Sequence, residues 1–279
     1  MKKLNINEQQ IIELFNKGLS AQKIADQLGF KRSTITLRMN KLKLHRSNSF
    51  YRKKKYCNES FFEKIDTEEK AYWLGFLFAD GNVQQRGNSR LIKIAVCDKE
   101  ICDKFLKSIN ADFKTQTFLE KDYYHPGYKH EVYHVEIYSE KMFNDLNILG
   151  CIPKKSLVLK FPDKSIFKSE ELIRHFIRGY FDGDGWITTG VRNSGKKYIS
   201  IGFCGTLDFL SKLNEYIPIK GNVYKEKRRI TNTYRLLKSG SNNALKFYKY
   251  FYENSSIFLK RKYLKFVEYF NNTKDVQRA

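Results

Sequence analysis

The chain has 279 residues, of which 41% are apolar and 15% aromatic, so it can bury a substantial core and global disorder is excluded. Its 52 Lys and Arg outnumber 30 Asp and Glu, and the formal net charge of +22 favours a polyanion, above all nucleic acid, as the partner. The start MKKLNINEQQ lacks the apolar core of a signal peptide, no lipidation signal is recognisable, and the longest apolar run is far shorter than the roughly 20 residues that span a bilayer. We therefore expect no membrane contact and an intracellular location, in the cytoplasm, at the nucleoid or in an organelle.

Residues 1 to about 44 predict three short helices. Ser20 and Gly29 mark the start and end of the second helix, and the third follows at about 31–43. Two helices joined by a tight turn that contains glycine, the second helix being basic, are typical of a helix-turn-helix. The residues expected to contact DNA are Lys31, Arg32, Ser33, Thr34, Thr36 and Arg38. The alternative is a three-helix cap that packs on the main domain without contacting DNA.

A basic segment, "KLKLHRSNSFYRKKK", follows at 41–55 and holds seven Lys/Arg and no acid. Such a run is usually a solvated linker, but beside a DNA-binding module it predicts an arm that follows a groove or the phosphates. The arm residues expected to contact DNA are Arg52, Lys53, Lys54 and Lys55. The predicted domains are a helix-turn-helix at 1–44, a basic linker at 45–60 and two further halves at 61–165 and 166–279.

The remainder of the chain contains a repeat. The stretches "WLGFLFADG" and "IRGYFDGDG" end in Asp80 and Asp184 with a following glycine, and 184 − 80 = 104 residues separate the two acids. Similar alternating segments follow each, "RLIKIAVC" and "YHVEIYS" after the first and "KYISIGFC" and "TYRLLKSG" after the second. Both halves therefore predict helix, strands, helix, strands, helix, and together they predict one pseudo-symmetric unit.

Both motif helices are apolar on nearly every side, which indicates that they are buried all round. Gly75 and Gly179 occupy equivalent positions, and glycine inside a helix costs about 1 kcal/mol relative to alanine, so a compensating contact is needed. We expect the two helices to pack closely on each other along the pseudo-twofold axis. Asp80 and Asp184 would then emerge side by side at one edge of that interface.

Two neighbouring carboxylates repel each other unless a proton or a metal ion neutralises them. In a basic protein that binds a polyanion, the pattern favours Mg²⁺, with Mn²⁺ as a substitute, because Mg²⁺ uses few protein carboxylates and completes its shell with water and phosphate oxygens. The alternative is that each Asp-Gly only ends a helix or forms a turn. A zinc site at Cys97, Cys102, His130 and His134 is disfavoured by the long gap between the two pairs.

The paired stretches resemble the two motifs of the single-chain LAGLIDADG homing endonucleases, and the resemblance covers about residues 60–270. It implies an α+β fold of two αββαββα halves whose sheets form a saddle over double-stranded DNA with a long target site. It further implies a monomeric site-specific endonuclease whose divalent metals cut one strand each and leave short 3′ overhangs. Asp80 and Asp184 would be the metal-binding catalytic acids, joined by the backbone carbonyls of Ala79 and Gly183.

Two positions of the motifs bear on this resemblance. At the second position, Leu74 and Arg178 stand where the family has alanine, and we expect Arg178 at the margin of the helix interface, paired with an acid. Asp182 stands where the first copy has Phe78, so it is not expected to be a required metal ligand.

The resemblance also implies a lysine near each acid, from the segment after the last helix of each half. The segments "IPKKS" and "LKRKY" make Lys155 and Lys262 the catalytic candidates, with Lys154 and Lys260 next. The alternative for each lysine is a phosphate contact or a solvated charge.

DNA recognition is expected at outward positions of the strands, because a two-stranded ribbon fits the major groove. These positions are Gln84, Arg90, Lys93, Arg192, Lys197, Tyr198, Arg228, Arg229 and Arg235. Two other functions remain open from the sequence: a DNA-binding transcriptional regulator that does not cut, and a maturase that binds intron RNA. An acid at both motif ends argues against the regulator.

Overall fold

The computed structural model describes residues 7–44, 56–122, 125–226 and 233–273. Two compact units are present, Met1–Lys55 and Tyr56–Ala279. Six of the residues expected to contact DNA lie outside the described ranges: Arg52, Lys53, Lys54, Lys55, Arg228 and Arg229. Within those ranges, no helix is long and apolar enough to cross a membrane.

The first unit contains the three predicted helices, α1 (Glu8–Asn16), α2 (Ala21–Leu28) and α3 (Arg32–Lys41). The Ser20 hydroxyl caps α2 by accepting a hydrogen bond from the Lys23 N–H, and Gly29 ends the helix in the left-handed conformation at φ +73°. The three helices bury a small core of their own, which includes Ile11, Ile24 and Ile35.

The second unit contains two halves with the same order of elements. The first half consists of α4 (Glu68–Ala79), β1 (Gly81–Arg86), β2 (Ser89–Val96), α5 (Lys99–Ser108), β3 (Gln116–Lys121), β4 (Lys129–Tyr138) and α6 (Glu140–Ile148). The second half consists of α7 (Glu171–Asp184), β5 (Gly185–Val191), β6 (Lys197–Gly205), α8 (Leu207–Tyr216), β7 (Val223–Lys225), β8 (Tyr234–Ser239) and α9 (Ser241–Tyr252). A further helix, α10 (Lys260–Asn271), follows the second half.

Each half forms a four-stranded antiparallel sheet, in the orders β1-β2-β4-β3 and β5-β6-β8-β7. One face of each sheet is apolar and covered by helices, and Ile92 and Ile201 lie on these covered faces. The predicted α+β class with paired αββαββα halves is therefore confirmed.

The two motif helices, α4 and α7, lie at the centre of one continuous core that both halves share. Aromatic side chains fill much of it, and the buried Trp73 donates its indole N–H to the Ser108 hydroxyl at 2.7 Å. The segments that lead into the two helices also meet, since Ile65 and Phe167 form a parallel bridge. The two halves are thus joined by the contact between the motif helices, by the shared core and by the bridge between the segments that precede these helices.

Candidate active site

The motif helices approach each other at their glycines. A Cβ built on Gly75 would lie 1.9 Å from the Phe176 carbonyl oxygen, and one built on Gly179 would lie 1.9 Å from the Tyr72 carbonyl oxygen. No side chain fits in such a gap, so the two backbones are in direct contact at both positions. The predicted packing of the helices through Gly75 and Gly179 is confirmed.

The same closeness continues to the ends of the helices, where the acids lie. A Cβ built on Gly183 would lie 2.3 Å from the Ala79 Cβ and 3.4 Å from the Asp80 Cγ. Asp80 is the C-cap residue of α4 and Asp184 is the last residue of α7, and both are exposed to solvent. The structure therefore brings the two predicted acids together at one open end of the helix pair.

Both carboxyl groups have raised pKa values. Partial burial and, second to it, the nearby Asp80 carboxylate raise the pKa of Asp184 to about 6, although Lys155 and Lys262 act in the opposite direction. Burial also raises the pKa of Asp80, which Lys262 and Lys155 counteract. The carbonyl ends of two helices point toward the same place, and a helix C-terminus favours cations. The two carboxylates and the two helix C-termini therefore suit a divalent cation at this place.

The oxygens available to a metal are the Asp80 and Asp184 carboxylates and the Ala79 and Gly183 carbonyls. These are the hard oxygen donors that Mg²⁺ prefers. Gly183 also accepts a hydrogen bond from the Lys262 Nζ at 3.3 Å, and a carbonyl has a second lone pair to offer. Within the described residues, no group of three or more His, Cys, Asp and Glu side chains is arranged to hold a metal ion.

A buried lysine lies beneath each motif end. Lys155 donates to the Gly81 carbonyl, and Lys262 donates to the equivalent Gly185 carbonyl at 2.5 Å. Lys262 also donates to Phe181 at 2.5 Å, and its burial lowers its pKa to about 8. Of the four lysines that the sequence offered, these two are the buried pair, while Lys154 and Lys260 are exposed. The structure thus places Lys155 and Lys262 at pseudo-symmetric positions beside the acids.

One basic residue at the site was missed in the sequence. The charge of Arg261 is one of those that oppose the rise in the pKa of Asp80. The Arg261 Nε donates a hydrogen bond to the Asp98 carboxylate of the first half at 2.8 Å. Its position within "LKRKY", directly before Lys262, could have indicated in the sequence that Arg261 lies near the acids. On the first-half side, Lys154 lines a cleft of about 500 Å³ along β1, together with Asn82 and Gln84.

Arg178 lies deep in the core and not at the margin of the interface, so that expectation was wrong. It is fully buried because α7 is enclosed by α4, by α9 and by the segment after α9. Its expected acidic partner is present, since Arg178 donates to Glu68 at 2.6 Å. Asp182 is also buried and accepts a hydrogen bond from the Tyr72 hydroxyl at 2.8 Å, so it faces the core and not the acids.

Four of the sheet residues expected to contact DNA point away from the helices: Gln84, Lys93, Tyr198 and Arg235. Lys93 pairs with Glu136 at 3.3 Å on this outer face. The Arg235 guanidinium pairs with Glu226 and lies 5.3 Å from the centre of the Trp186 ring. These four residues place polar and basic groups on the outer faces of both sheets.

Two other candidates do not point outward. Arg90 lies on the helix-covered face with its guanidinium 5.4 Å from the Phe143 ring, and Lys197 on the equivalent face donates to the Asn272 carbonyl at 2.5 Å. Successive side chains of a strand point to opposite faces of the sheet, so Arg90 shares a face with the buried Ile92, and Lys197 shares a face with the buried Ile199. Arg192 is exposed in the turn between β5 and β6.

In the first unit, the residues expected to contact DNA lie on and just before α3. Lys31, Arg32 and Ser33 are exposed, and Thr34 is half-buried. Two others make contacts within the unit: the Thr36 hydroxyl donates to the Arg32 carbonyl at 2.9 Å, and Arg38 pairs with Glu8 at 2.9 Å. The start of α3 therefore carries an exposed basic surface.

Comparison with known proteins agrees with this fold. Residues 171–252 match the model of a family described as LAGLIDADG-like domain. The homing endonuclease I-WcaI, solved bound to its DNA recognition sequence, shares 10% identity, with a TM-score of 0.54 over 80% of this chain and 96% of that one. The I-LtrWI LAGLIDADG homing endonuclease, solved with its target DNA, shares 11% identity, with a TM-score of 0.48 over 78% of this chain and 93% of that one. The predicted resemblance to the LAGLIDADG proteins is confirmed at the level of the fold.

A curated protein from Methanocaldococcus jannaschii, named as a probable translation initiation factor IF-2, is 28% identical over 118 residues. The aligned part is 42% of this chain and only 9% of that protein. This chain therefore spans about a tenth of that relative.

Proposed function

We propose that this chain, which has the LAGLIDADG fold and both motif acids, is a site-specific endonuclease that cuts both strands of double-stranded DNA with divalent metal ions. The observation that carries the proposal is the convergence of Asp80 and Asp184 at the open end of two helices packed backbone to backbone. The net charge of +22 supplies the attraction for a polyanion. Mg²⁺ is the proposed metal, Mn²⁺ a substitute, and short 3′ overhangs the proposed product.

The acids would hold the metal together with the Ala79 and Gly183 carbonyls. A bound divalent ion lowers the pKa of its water and stabilises the leaving oxygen of a phosphodiester. Lys155 and Lys262 hold their ammonium groups against the helix-end carbonyls, close enough to both acids to lower the pKa of each. There they can stabilise negative charge that develops on the phosphate.

The first unit would bind DNA through Lys31, Arg32 and Ser33 on the exposed start of α3. This proposal is supported by the succession of α2, the tight turn at Gly29 and the basic α3, a pattern typical of a helix-turn-helix. Its role would be to lengthen or anchor the target site. Outward residues of the sheets, Lys93 and Arg235 among them, would supply the other contacts.

The test is cleavage of a library of DNA duplexes in Mg²⁺ by the wild type and by Asp80→Asn and Asp184→Asn. We expect sequence-specific double-strand cuts with 3′ overhangs, which each variant loses or reduces to nicks. Asp208→Asn is the matched control, because Asp208 is an exposed acid in the first turn of α8, outside the motifs. Specific binding without cutting in Mg²⁺ or Mn²⁺ would favour the regulator, and preferential RNA binding would favour the maturase.

A further inference from the structure

A polar network centred on a buried arginine lies behind Lys262, and the described residues of the first half form no equivalent. Arg178 is its centre, donating to the Ile257 carbonyl at 2.9 Å and to the Ser255 hydroxyl at 2.5 Å. It also donates to the Phe251 carbonyl at 3.1 Å. One guanidinium in α7 therefore holds the end of α9 and the segment that follows it.

Glu68, at the start of α4, holds the same segment from the other motif helix. Its Oε1 accepts hydrogen bonds from Arg178 at 2.6 Å and from the Ser256 N–H at 2.8 Å. Because the acid both neutralises the buried guanidinium and binds the segment's backbone, the segment is fixed to the two motif helices at once.

Asp182 completes the network at the end of the segment. Its Oδ2 accepts from the Leu259 N–H at 2.7 Å and from the Tyr72 hydroxyl at 2.8 Å. Leu259 is the N-cap of α10, and Lys262 lies in the first turn of that helix. Asp182 therefore fixes the point from which the helix that carries Lys262 begins.

In the part of the first half that the structure describes, these contacts have no counterpart. Leu74 and Phe78 occupy the positions of Arg178 and Asp182, and both are buried apolar side chains. A buried ion pair seldom stabilises a fold more than well-packed apolar residues do, so stability alone is a weak reason for this network. The two lysines differ as well. Lys155 donates to the Gly81 carbonyl, whereas Lys262 donates to three carbonyls, those of Phe181, Gly183 and Gly185.

We propose that Arg178 and Asp182 are positioning residues that hold Lys262 in place, so that the cut served by Lys262 depends on them and the cut served by Lys155 does not. The proposal rests on the proposed endonuclease function. A displacement of about 1 Å at a catalytic group can lower a rate about 100-fold. Loss of the network therefore slows one strand's cut and leaves a nicked product.

The experiment measures the rate of each cut on a duplex target labelled at the end of either strand. The variants are Arg178→Met and Asp182→Ala, beside Lys262→Met and Lys155→Met as references for the two sites. We expect both network variants to slow the same strand as Lys262→Met, by about 10-fold to 100-fold. The other strand keeps the wild-type rate, and Asp182→Asn, which retains an acceptor oxygen for Leu259, restores the slowed cut.

A purely structural role would give a different pattern. Equal slowing of both strands, slowing of the Lys155 strand, or no rescue by Asp182→Asn would overturn the proposal. Thermal unfolding checks that each variant is folded. If Arg178→Met does not fold, the comparison of Asp182→Ala with Asp182→Asn still decides the test.

Hydrogen exchange of the free protein supplies a readout that needs no cleavage. We expect faster exchange of the Leu259 and Ser256 amides in Asp182→Ala and wild-type exchange in Asp182→Asn. Unchanged exchange in Asp182→Ala would overturn the positioning role. A wild type that cuts no DNA would instead overturn the proposed function, and the exchange result would still decide whether the network holds the segment.

Discussion

Gly179 lies so close to Tyr72 that a Cβ on the glycine would come within 1.9 Å of the tyrosine's carbonyl oxygen. The contact is repeated by Gly75 and Phe176 on the other side of the pseudo-twofold axis. Because the obstacle is backbone in both places, no rotamer change can relieve it. The separation of the two acids at the helix ends is thereby set by the absence of two side chains.

Gly179→Ala should destabilise the second unit strongly. Overpacking of a well-filled core costs roughly 1–3 kcal/mol and occasionally more, and a clash with backbone belongs at the upper end of that range. We expect a loss of about 3 kcal/mol or more in the free energy of unfolding, measured by urea denaturation. The control is Gly195→Ala, at φ +76° with open space around it, which should lose only about 1–2 kcal/mol from backbone strain. Equal losses in the two variants would contradict the close helix contact.

In the metal-free protein, the free energy of unfolding should depend on pH through Asp184. The carboxyl has a folded pKa of about 6, above its ordinary value of about 3.9, so the folded state binds the proton more tightly. The contribution of Asp184 is therefore most favourable at low pH and is lost as the pH rises from about 4 through 6. We expect the stability advantage of Asp184→Asn over the wild type to grow across this window in denaturation at several pH values with EDTA. A constant advantage would count against the raised pKa.

Mg²⁺ should stabilise the protein in the absence of DNA. A divalent ion relieves the repulsion between Asp80 and Asp184, and a ligand at ten times its Kd adds about 1.4 kcal/mol to the stability of the folded state. We expect the melting temperature at pH 8 to rise with Mg²⁺ in the wild type and much less in Asp80→Asn. Monovalent salt of the same ionic strength is the control. An equal rise in both proteins would place the ion elsewhere.

The first unit can be tested by its contribution to DNA affinity. Lys31→Ala with Arg32→Ala should weaken binding and reduce the dependence of log K on log salt by about 2, since two phosphate contacts are lost. The matched control removes two exposed lysines of the same unit, Lys17 and Lys23, and should change the slope little. Equal effects of the two double variants would indicate that only the unit's net charge matters.

Much of the fold was accessible from local patterns. Glycine inside an otherwise apolar helix requires close packing, and its occurrence in both motif helices predicted the contact that the structure shows at Gly75 and Gly179. Alternation in the strands predicted the paired sheets. The same alternation also shows that Lys197 and Tyr198, being adjacent in one strand, cannot both point outward, since a shift of one residue changes the face.

The sequence by itself determined the paired halves, the packed motif helices and the place of Asp80 and Asp184, because each follows from spacing within one element or from its repetition. Only the tertiary structure decided which lysines lie buried beside the acids and that Arg178 is enclosed in the core. It alone showed that Asp182 binds the start of the helix carrying Lys262. These residues acquire their roles from partners far away in the chain, as when Asp182 meets Tyr72 and Leu259. The burial that makes such contacts strong exists only once both halves have folded together.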